Sequence, residues 1–384
     1  MKRILVSSLA AGLLLSPIIG SSSSLQEFQQ QRQQDMQQFN QDFEEAFQAY
    51  RDAFDEAFEA YQEELRAHWS QPLITDSRTW VEYSEDQTSR SVVDYEANEI
   101  RIEVDTEKTG GRTDAAVEML VDVINRPVEE AVERDEVTQR AVEKAGLPSP
   151  SLGKEGRKRV LSEVRPEHAE AMMSKAQVSQ RQEPAADGSQ REVTVLTVPL
   201  PPSRTTDKAK EYLPQVRNYA QKHQVEPALM LAIMHSESSF NPMARSHIPA
   251  FGLMQIVPSS AGKDVAQELY GEIRVFSPSY LYNPENNIQA GAVYLNILNS
   301  RYLRQIENPE SRMYAVISAY NTGAGNVART FTGDSTSPAR AARIINAMQP
   351  REVYEQLRAQ LPYEETRKYL DHVARRTAAY REFD

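Results

Sequence analysis

The chain contains no cysteine in its 384 residues. That excludes disulfides, thiolate nucleophiles, Cys-ligated metals and lipid attachment through an N-terminal cysteine. Positive charge is also in short supply: 43 Lys and Arg stand against 55 Asp and Glu, a formal charge of −12. Such a balance argues against nucleic acid or an anionic membrane surface as an electrostatic partner. A neutral polymer such as a glycan needs no charge match and stays open. The six histidines, His235 and His247 among them, have no metal-ligand spacing, and the HExxH pattern is absent. No metal and no cofactor is called for.

Long apolar runs are missing too. The single candidate, Ile4 to Gly20, is broken by Ser7, Ser8, Ser16 and Pro17, whereas a membrane-spanning helix wants about 20 apolar residues. With Lys2 and Arg3 before it and Ser21 to Ser24 after it, residues 1–23 read as a secretory signal peptide. Ile18-Ile19-Gly20-Ser21 resembles a lipoprotein box with Ser where the lipidated Cys would stand. The expectation is a periplasmic protein, soluble or loosely associated with a membrane.

What is present divides the rest of the chain into three parts. Residues 24–68 form one helical pattern, with Phe39, Phe43, Phe47, Tyr50, Phe54, Phe58, Tyr61 and Leu65 spaced by three and four. This eleven-residue repeat keeps an aromatic stripe on one face of a nearly straight helix. The stripe is expected to pack on the protein's own body, with self-association through the helix as the other use. Residues 69–203 read as a small α/β unit. Arg90–Tyr95 and Glu99–Val104 alternate as strands do around a hairpin turn at Glu96-Ala97-Asn98, and Glu192–Val198 is a further strand. Thr113–Asn125 is an amphipathic helix, and the polar stretch Ser179–Arg191 is expected to be exposed. From 204 to 384 the periodicity is helical almost throughout, an all-α domain, so the fold class is α+β.

Within that last part, Pro227–His235 is apolar enough for a core helix and runs into Glu237-Ser238-Ser239-Phe240-Asn241-Pro242. A carboxylate at the end of such a helix loses water, which raises its proton affinity and suits a general acid near neutral pH. Phe251-Gly252-Leu253-Met254-Gln255 reads as a loop, and Ala319-Tyr320-Asn321-Thr322-Gly323-Ala324-Gly325 as a helix end in a Gly-rich turn. These segments bring amides and a phenol into loops, where sites are built. Such groups suit sugar hydroxyls and N-acetyl groups.

Glu-Ser-Ser-Phe-Asn-Pro, Gly-Leu-Met-Gln, Ala-Tyr-Asn-x-Gly-Ala-Gly and a C-terminal Arg367-Lys368-Tyr369-Leu370, in that order, resemble the motif set of the lytic murein transglycosylases. The resemblance spans about 205–375, and it implies a lysozyme-like fold of the goose-type and soluble transglycosylase kind. The preceding segment is similar to the N-terminal part of membrane-bound, C-type members. The resemblance over 205–375 further implies peptidoglycan glycan strands as partner and cleavage of the β-1,4 bond between N-acetylmuramic acid and N-acetylglucosamine, whereas the N-terminal similarity implies no catalytic role. Glu237 matches the single catalytic acid/base. Gln255, Tyr320, Asn321, Ser238, Ser246, Met254 and Tyr369 match positions expected to contact or order substrate, with Tyr363 competing for the role of Tyr369. One departure is Ser246-His247-Ile248, where some relatives carry Ser-Arg-Ser; Ile248 cannot hydrogen-bond through its side chain. A true hydrolase would need a second carboxylate, and Asp264, Glu268, Glu272, Glu285 and Asp334 are available without a motif. A catalytically silent scaffold is the third reading.

Overall fold

The computed structural model describes residues 22–109, 113–184 and 190–383. The expected signal peptide lies outside the described residues apart from Ser22 and Ser23. Contacts divide the chain into two units, Met1–Glu44 and Glu45–Asp384. In the first, the described residues are helical from Ser22 onward, including Gln29–Gln41. Helix α1 (Ser22–Arg66) runs on into the second unit. There Tyr50, Phe54, Tyr61 and Leu65 sink into the core, so the stripe is used within the chain from Tyr50 onward. The side chain of Phe39 lies outside the described residues.

A five-stranded antiparallel sheet follows, in the order β1-β2-β3-β5-β4. Its strands are β1 (Thr79–Tyr83), β2 (Ser89–Asp94), β3 (Glu99–Asp105), β4 (Gln177–Pro184) and β5 (Gln190–Pro199). The hairpin turn between β2 and β3 falls where the alternation breaks, with Asn98 at φ 58°, a conformation Asn tolerates better than most residues. Two strands differ from the sequence reading. The short β1 carries no clear alternation to betray it. The polar stretch Ser179–Arg191, read as exposed, contributes β4 and the start of β5, a pairing its composition does not announce. As an edge strand, β4 shows solvent most of its side chains, which removes the hydrophobic signal that marks a central strand.

One face of the sheet carries Trp80, Val93, Ile100, Ile102 and Val198 into the main core, where α2 (Thr113–Asn125) packs. On the other side, Trp69 lies over Val193 and Val195, and the Arg90 and Arg191 guanidiniums sit 4.0 and 4.4 Å from its ring centre. These arginines are matched: Arg90 pairs with Glu103 at 2.8 Å, and Arg191 with Glu183.

From Arg204 the chain is helical: α4 (Arg204–His223), α5 (Pro227–Ser238), α6 (Ala261–Tyr270), α7 (Pro284–Ile297), α8 (Pro309–Thr322), α9 (Ala324–Thr332), α10 (Pro338–Ile345), α11 (Pro350–Gln360) and α12 (Glu364–Tyr380). Helix α5 starts on Pro227, whose missing N–H costs nothing at that position, and Ala228 to Met234 are all buried. Helices α4 and α12 pack against it. It is the axis of this part of the molecule.

The sheet and the helices share one continuous core within Glu45–Asp384. Buried cations fasten them together. Arg245 donates to Asp135 at 2.7 Å, just before α3 (Glu136–Ala145). Arg204 donates to Asn98 at 3.0 Å and to the Ser239 carbonyl at 3.0 Å. Among the described residues no helix is long and apolar enough to cross a membrane.

Candidate active site

Glu237 occupies the last turn of α5, one residue before the helix ends. The sequence placed the helix end at His235; the helix continues through Ser238, so the carboxylate is held by helical backbone. Beyond it, Ser239 and Phe240 both take left-handed backbone, at φ 50° and 63°. For a bulky residue such as Phe this is a strained conformation costing on the order of 1–3 kcal/mol. It persists because its surroundings fix it: Phe240 is fully buried against Tyr212, His235 and Tyr380.

The Glu237 residue is partly exposed, while burial of its carboxyl pushes the pKa up to about 7. The Tyr369 hydroxyl and the Arg78 guanidinium pull it down again, and Glu365 pushes it up. No salt bridge holds the carboxylate among the described residues. A carboxyl that is desolvated yet free of a bound cation keeps its proton at neutral pH and can still release it, as an acid that must later act as base requires.

Tyr369 lies on the face of α12 turned to α5, buried, with its own hydroxyl raised in pKa by burial and by Glu237. That hydroxyl makes no hydrogen bond of good geometry among the described residues, although it sits close enough to favour the Glu237 carboxylate. A buried hydroxyl left unbonded beside an acid is costly unless something else meets it. Tyr363 stands just ahead of α12 and is 59 % exposed; Tyr369 is the tyrosine at the carboxylate.

The Gly252–Gln255 turn is built from beneath. Asn287 of α7, fully buried, accepts from the Met254 N–H at 2.8 Å and donates to the Phe251 and Leu281 carbonyls, each at 2.8 Å. Gly252 has φ 75°, and a Cβ there would meet the Leu281 carbonyl at 2.4 Å and the Asn287 amide at 2.5 Å. Only glycine fits. Ser238 is fully buried and donates to the Leu253 carbonyl at 2.8 Å and to the Met234 carbonyl at 3.0 Å; it ties α5 to this turn. Met254 is fully buried as well, its side chain packed over Gly291, where a Cβ would come within 2.1 Å of its sulfur. Both residues brace the turn, their polar and apolar surfaces taken up inside the protein.

Gln255 stays half-buried at φ 47°, its amide donating to the Ala244 and Gly252 carbonyls, each at 3.0 Å. Tyr320 and Asn321 sit on the last turn of α8 rather than in a loop, and Gly325 lies inside α9, leaving Gly323 alone at φ 84°. Tyr320 donates to the Met254 carbonyl at 2.8 Å, and its phenol feels the Glu237 charge. Asn321 accepts from Thr366 at 2.6 Å and locks α8 to α12. Ser246 bonds the Ile248 carbonyl and the Ala250 N–H within its own loop, away from Glu237 in its contacts. His247 stacks edge-on against Phe58 of α1, ring centres 5.2 Å apart. A cavity of about 480 Å³ is lined by Tyr294, Tyr302, Lys263, Asp264 and Gly325; the Tyr294 ring, 5.5 Å from Tyr320, connects it to the site.

Three participants went unread in the sequence. Asn287 falls within Asn286-Asn287, whose amides could have been weighed. Glu365 and Arg78 carry no motif and are brought to Glu237 by folding alone. Of the carboxylates considered earlier, Asp264 accepts from Tyr302, Glu268 pairs with Arg301 and Glu285 with Lys154; none is among the charges that act on Glu237. Among the described residues no group of three or more His, Asp or Glu could hold a metal.

Residues 214–342 match the Transglycosylase SLT domain family. The SLT match covers the core of the helical part, from α4 to α10, and contains Glu237, Gln255 and Tyr320. Membrane-bound lytic murein transglycosylase C of Serratia proteamaculans is 50% identical over 48% of this chain and 51% of its own length. The enzyme of that name from Klebsiella pneumoniae (strain 342) is 47% identical over 50% of this chain and 52% of its own length. The chain thus spans about half the length of the curated relatives it matches. The 70 kDa soluble lytic transglycosylase of Escherichia coli is 30% identical across 45% of this chain and 24% of that chain, with a TM-score of 0.35.

Proposed function

We propose that this protein is a lytic murein transglycosylase acting on peptidoglycan, with residues 204–384 as its catalytic domain and Glu237 as its single acid/base. The carrying observation is the Glu237 carboxyl itself: desolvated to a pKa of about 7, at the end of a core helix, with no salt bridge among the described residues. Similarity to enzymes named lytic murein transglycosylase supports the choice of substrate. In the first step the Glu237 proton passes to the glycosidic oxygen as the C1–O bond breaks. The carboxylate then takes the proton of the muramyl C6 hydroxyl, and O6 closes onto C1 to give a 1,6-anhydro end. The substrate supplies its own nucleophile, so a second carboxylate is not required, and the intramolecular attack gains from high effective molarity.

Tyr369 is assigned to the reacting centre through its unbonded hydroxyl. Gln255, at a half-exposed turn, is assigned to the N-acetyl or lactyl region, Tyr320 and Asn321 to ordering the cleft, and Ser246 to the outer loop. Export to the periplasm belongs to the same proposal, as do the other boundaries, 24–68 for the helix and 69–203 for the α/β domain.

Hydrolysis is kept as the rival because Glu365, an exposed carboxylate, lies close enough to raise the Glu237 pKa and could hold a water. Purified sacculi digested with the wild-type protein decide between them by mass spectrometry. Muropeptides with anhydro ends, one water lighter than reducing ends, are expected; reducing ends would move the assignment to hydrolysis through Glu365. Glu237→Gln should lower release about 10²- to 10⁴-fold or more, the usual weight of acid–base catalysis, with an unchanged circular dichroism spectrum. Retained activity in that variant would overturn the assignment of Glu237.

A further inference from the structure

The turn that carries Glu237 is held from three sides by guanidinium groups. Arg78, from the segment that leads into β1, donates to the Ser236 carbonyl at 2.9 Å and to the Ser239 hydroxyl at 3.1 Å. Arg204, at the start of α4, donates to the Ser239 carbonyl at 3.0 Å. Arg376, from α12, donates to the Ser236 hydroxyl at 2.8 Å. The contacts of Arg78 therefore straddle Glu237, one residue before it and two after. Ser239 is the first of the two left-handed residues, and arginines from two parts of the chain fix its carbonyl and its hydroxyl.

These cations differ from most buried ones in the molecule. Arg90, Arg191, Lys208 and Arg245 each face a carboxylate. Among the described residues Arg78 and Arg376 enter no salt bridge, and Arg376 is lowered in pKa by burial and by Arg78. Neighbouring His235 is pushed down to about 3 by burial and by Arg376, Arg204 and Arg78 in turn. Their shared anchor is the carboxyl end of α5, whose free carbonyls and negative dipole end attract cations. The carboxylate that profits from this field is Glu237.

Resting on the function proposed above, we propose that Arg78 is a positioning residue for Glu237. The sheet-bearing part of the chain delivers it to brace the strained end of α5 and to supply positive charge when Glu237 gives up its proton. This gives the residues before the helical part a role in the reaction: without Thr79–Tyr83 docked, Arg78 has no fixed place. The groups facing Glu237 are few. Tyr369 and Glu365 come from α12, Tyr320 from α8 and Arg78 from the approach to β1. His372 and Arg376 lie next to Arg78 on α12.

The test is the pH dependence of anhydromuropeptide release by the full chain, for wild type, Arg78→Gln and Arg78→Lys. Removing the charge should move the alkaline limb of kcat/KM upward by about 0.5–1 pH unit, since the lost cation had favoured the carboxylate. Loss of the brace should lower kcat roughly tenfold, with KM within about twofold of wild type. Arg78→Lys keeps the charge, so its limb should stay with the wild type while kcat recovers in part. An Arg78→Gln limb that does not move would overturn the electrostatic role, and an unchanged kcat would overturn the brace. If Arg78→Gln fails to fold, Ser239→Ala, which removes one contact and leaves the guanidinium, should lower kcat; an unchanged kcat there overturns the proposal. A wild type that releases no anhydro ends would instead sink the transglycosylase assignment, independently of Arg78.

Discussion

Glu103 in the sheet and Glu237 at the end of α5 are both carboxylates set in protein interior, and the two parts of the molecule treat them in opposite ways. Burial would push Glu103 up, but the hydrogen bond from Arg181 and the charges of Arg90 and Arg181 outweigh it and hold the carboxyl below its usual value. Two arginine side chains reach it, Arg90 at 2.8 and 2.9 Å and Arg181 at 2.7 Å. Glu237 has comparable loss of water and no bonded cation among the described residues, and burial wins. Arg78 stands near it yet spends its bonds on backbone and on Ser239. Burial alone therefore does not decide whether a carboxyl is held charged or keeps its proton; the destination of the nearby guanidinium protons does.

The largest effect should come from breaking the paired site. Glu103→Gln leaves Arg90, 3 % exposed in its side chain, buried without its counter-charge. Removing one partner of such a pair costs about 3–5 kcal/mol. Urea denaturation at pH 7 would measure it. Because the folded pKa of Glu103 is depressed, its contribution is complete above the unfolded carboxylate range. It is lost as pH falls through the lower folded value. The gap between variant and wild type should close on acidification. A gap of the same size at every pH would mean that packing, not charge, holds this corner.

Glu237→Gln should tilt the other way. With a folded pKa of about 7 against an ordinary 4.5, the folded state holds the proton more tightly than the unfolded chain between those values. Wild-type stability then falls as pH rises from 4.5 to 7, whereas the neutral amide feels no such loss. The variant should match wild type near pH 4 and exceed it by about 1–2 kcal/mol at pH 8, once part exposure is allowed for. Thermal melts across that range give the answer. A variant less stable than wild type at pH 8 would show that Glu237 is held as a charged group, and the contrast with Glu103 would vanish.

The two regions also differ in how far their sequences reveal them. In the helical part, apolar spacing marks α5, and the motif order marks Glu237, Gln255, Tyr320 and Tyr369; Glu237 and Tyr320 sit near the ends of periodic helices, Gln255 in a turn and Tyr369 inside α12. Helix limits slip by a few residues: α5 runs past His235 to Ser238, and α8 carries Tyr320 and Asn321 inside its last turn. Such shifts move a residue from loop to helix without moving the chemistry. In the sheet, Thr113–Asn125 and the hairpin around Asn98 stand out through clean periodicity. By contrast β4 hides behind its polar edge, and β1 is too short to alternate visibly. What no local pattern could reveal is tertiary: Arg78 lies more than 150 residues from the serines it grips, and Glu365 is an ordinary surface glutamate until α12 packs on α5. The bracing roles of Ser238 and Met254 were likewise invisible, since spacing identifies a motif residue without telling which way its side chain turns.

The smallest effect belongs to the loop where the sequence departs from some relatives. Ile248 is 65 % exposed, and Ser246 bonds its backbone carbonyl rather than its side chain. Exchanging that side chain for a hydroxymethyl group removes little buried area and no hydrogen bond, and the Ala250 N–H still has the Ser246 oxygen at 3.1 Å. Ile248→Ser should therefore change stability by no more than about 0.5 kcal/mol, the usual range for an exposed position. Its effect on turnover should stay within about twofold, because among the described residues the hydrogen bonds of Ser246 stay within the loop and only the backbone running on to Gly252 leads toward Glu237. Steady-state digestion of sacculi by the variant measures it. A several-fold rise in kcat would show that a serine at 248 reaches the substrate, and the loop would then join the turn of α5 as a second place where the site is tuned.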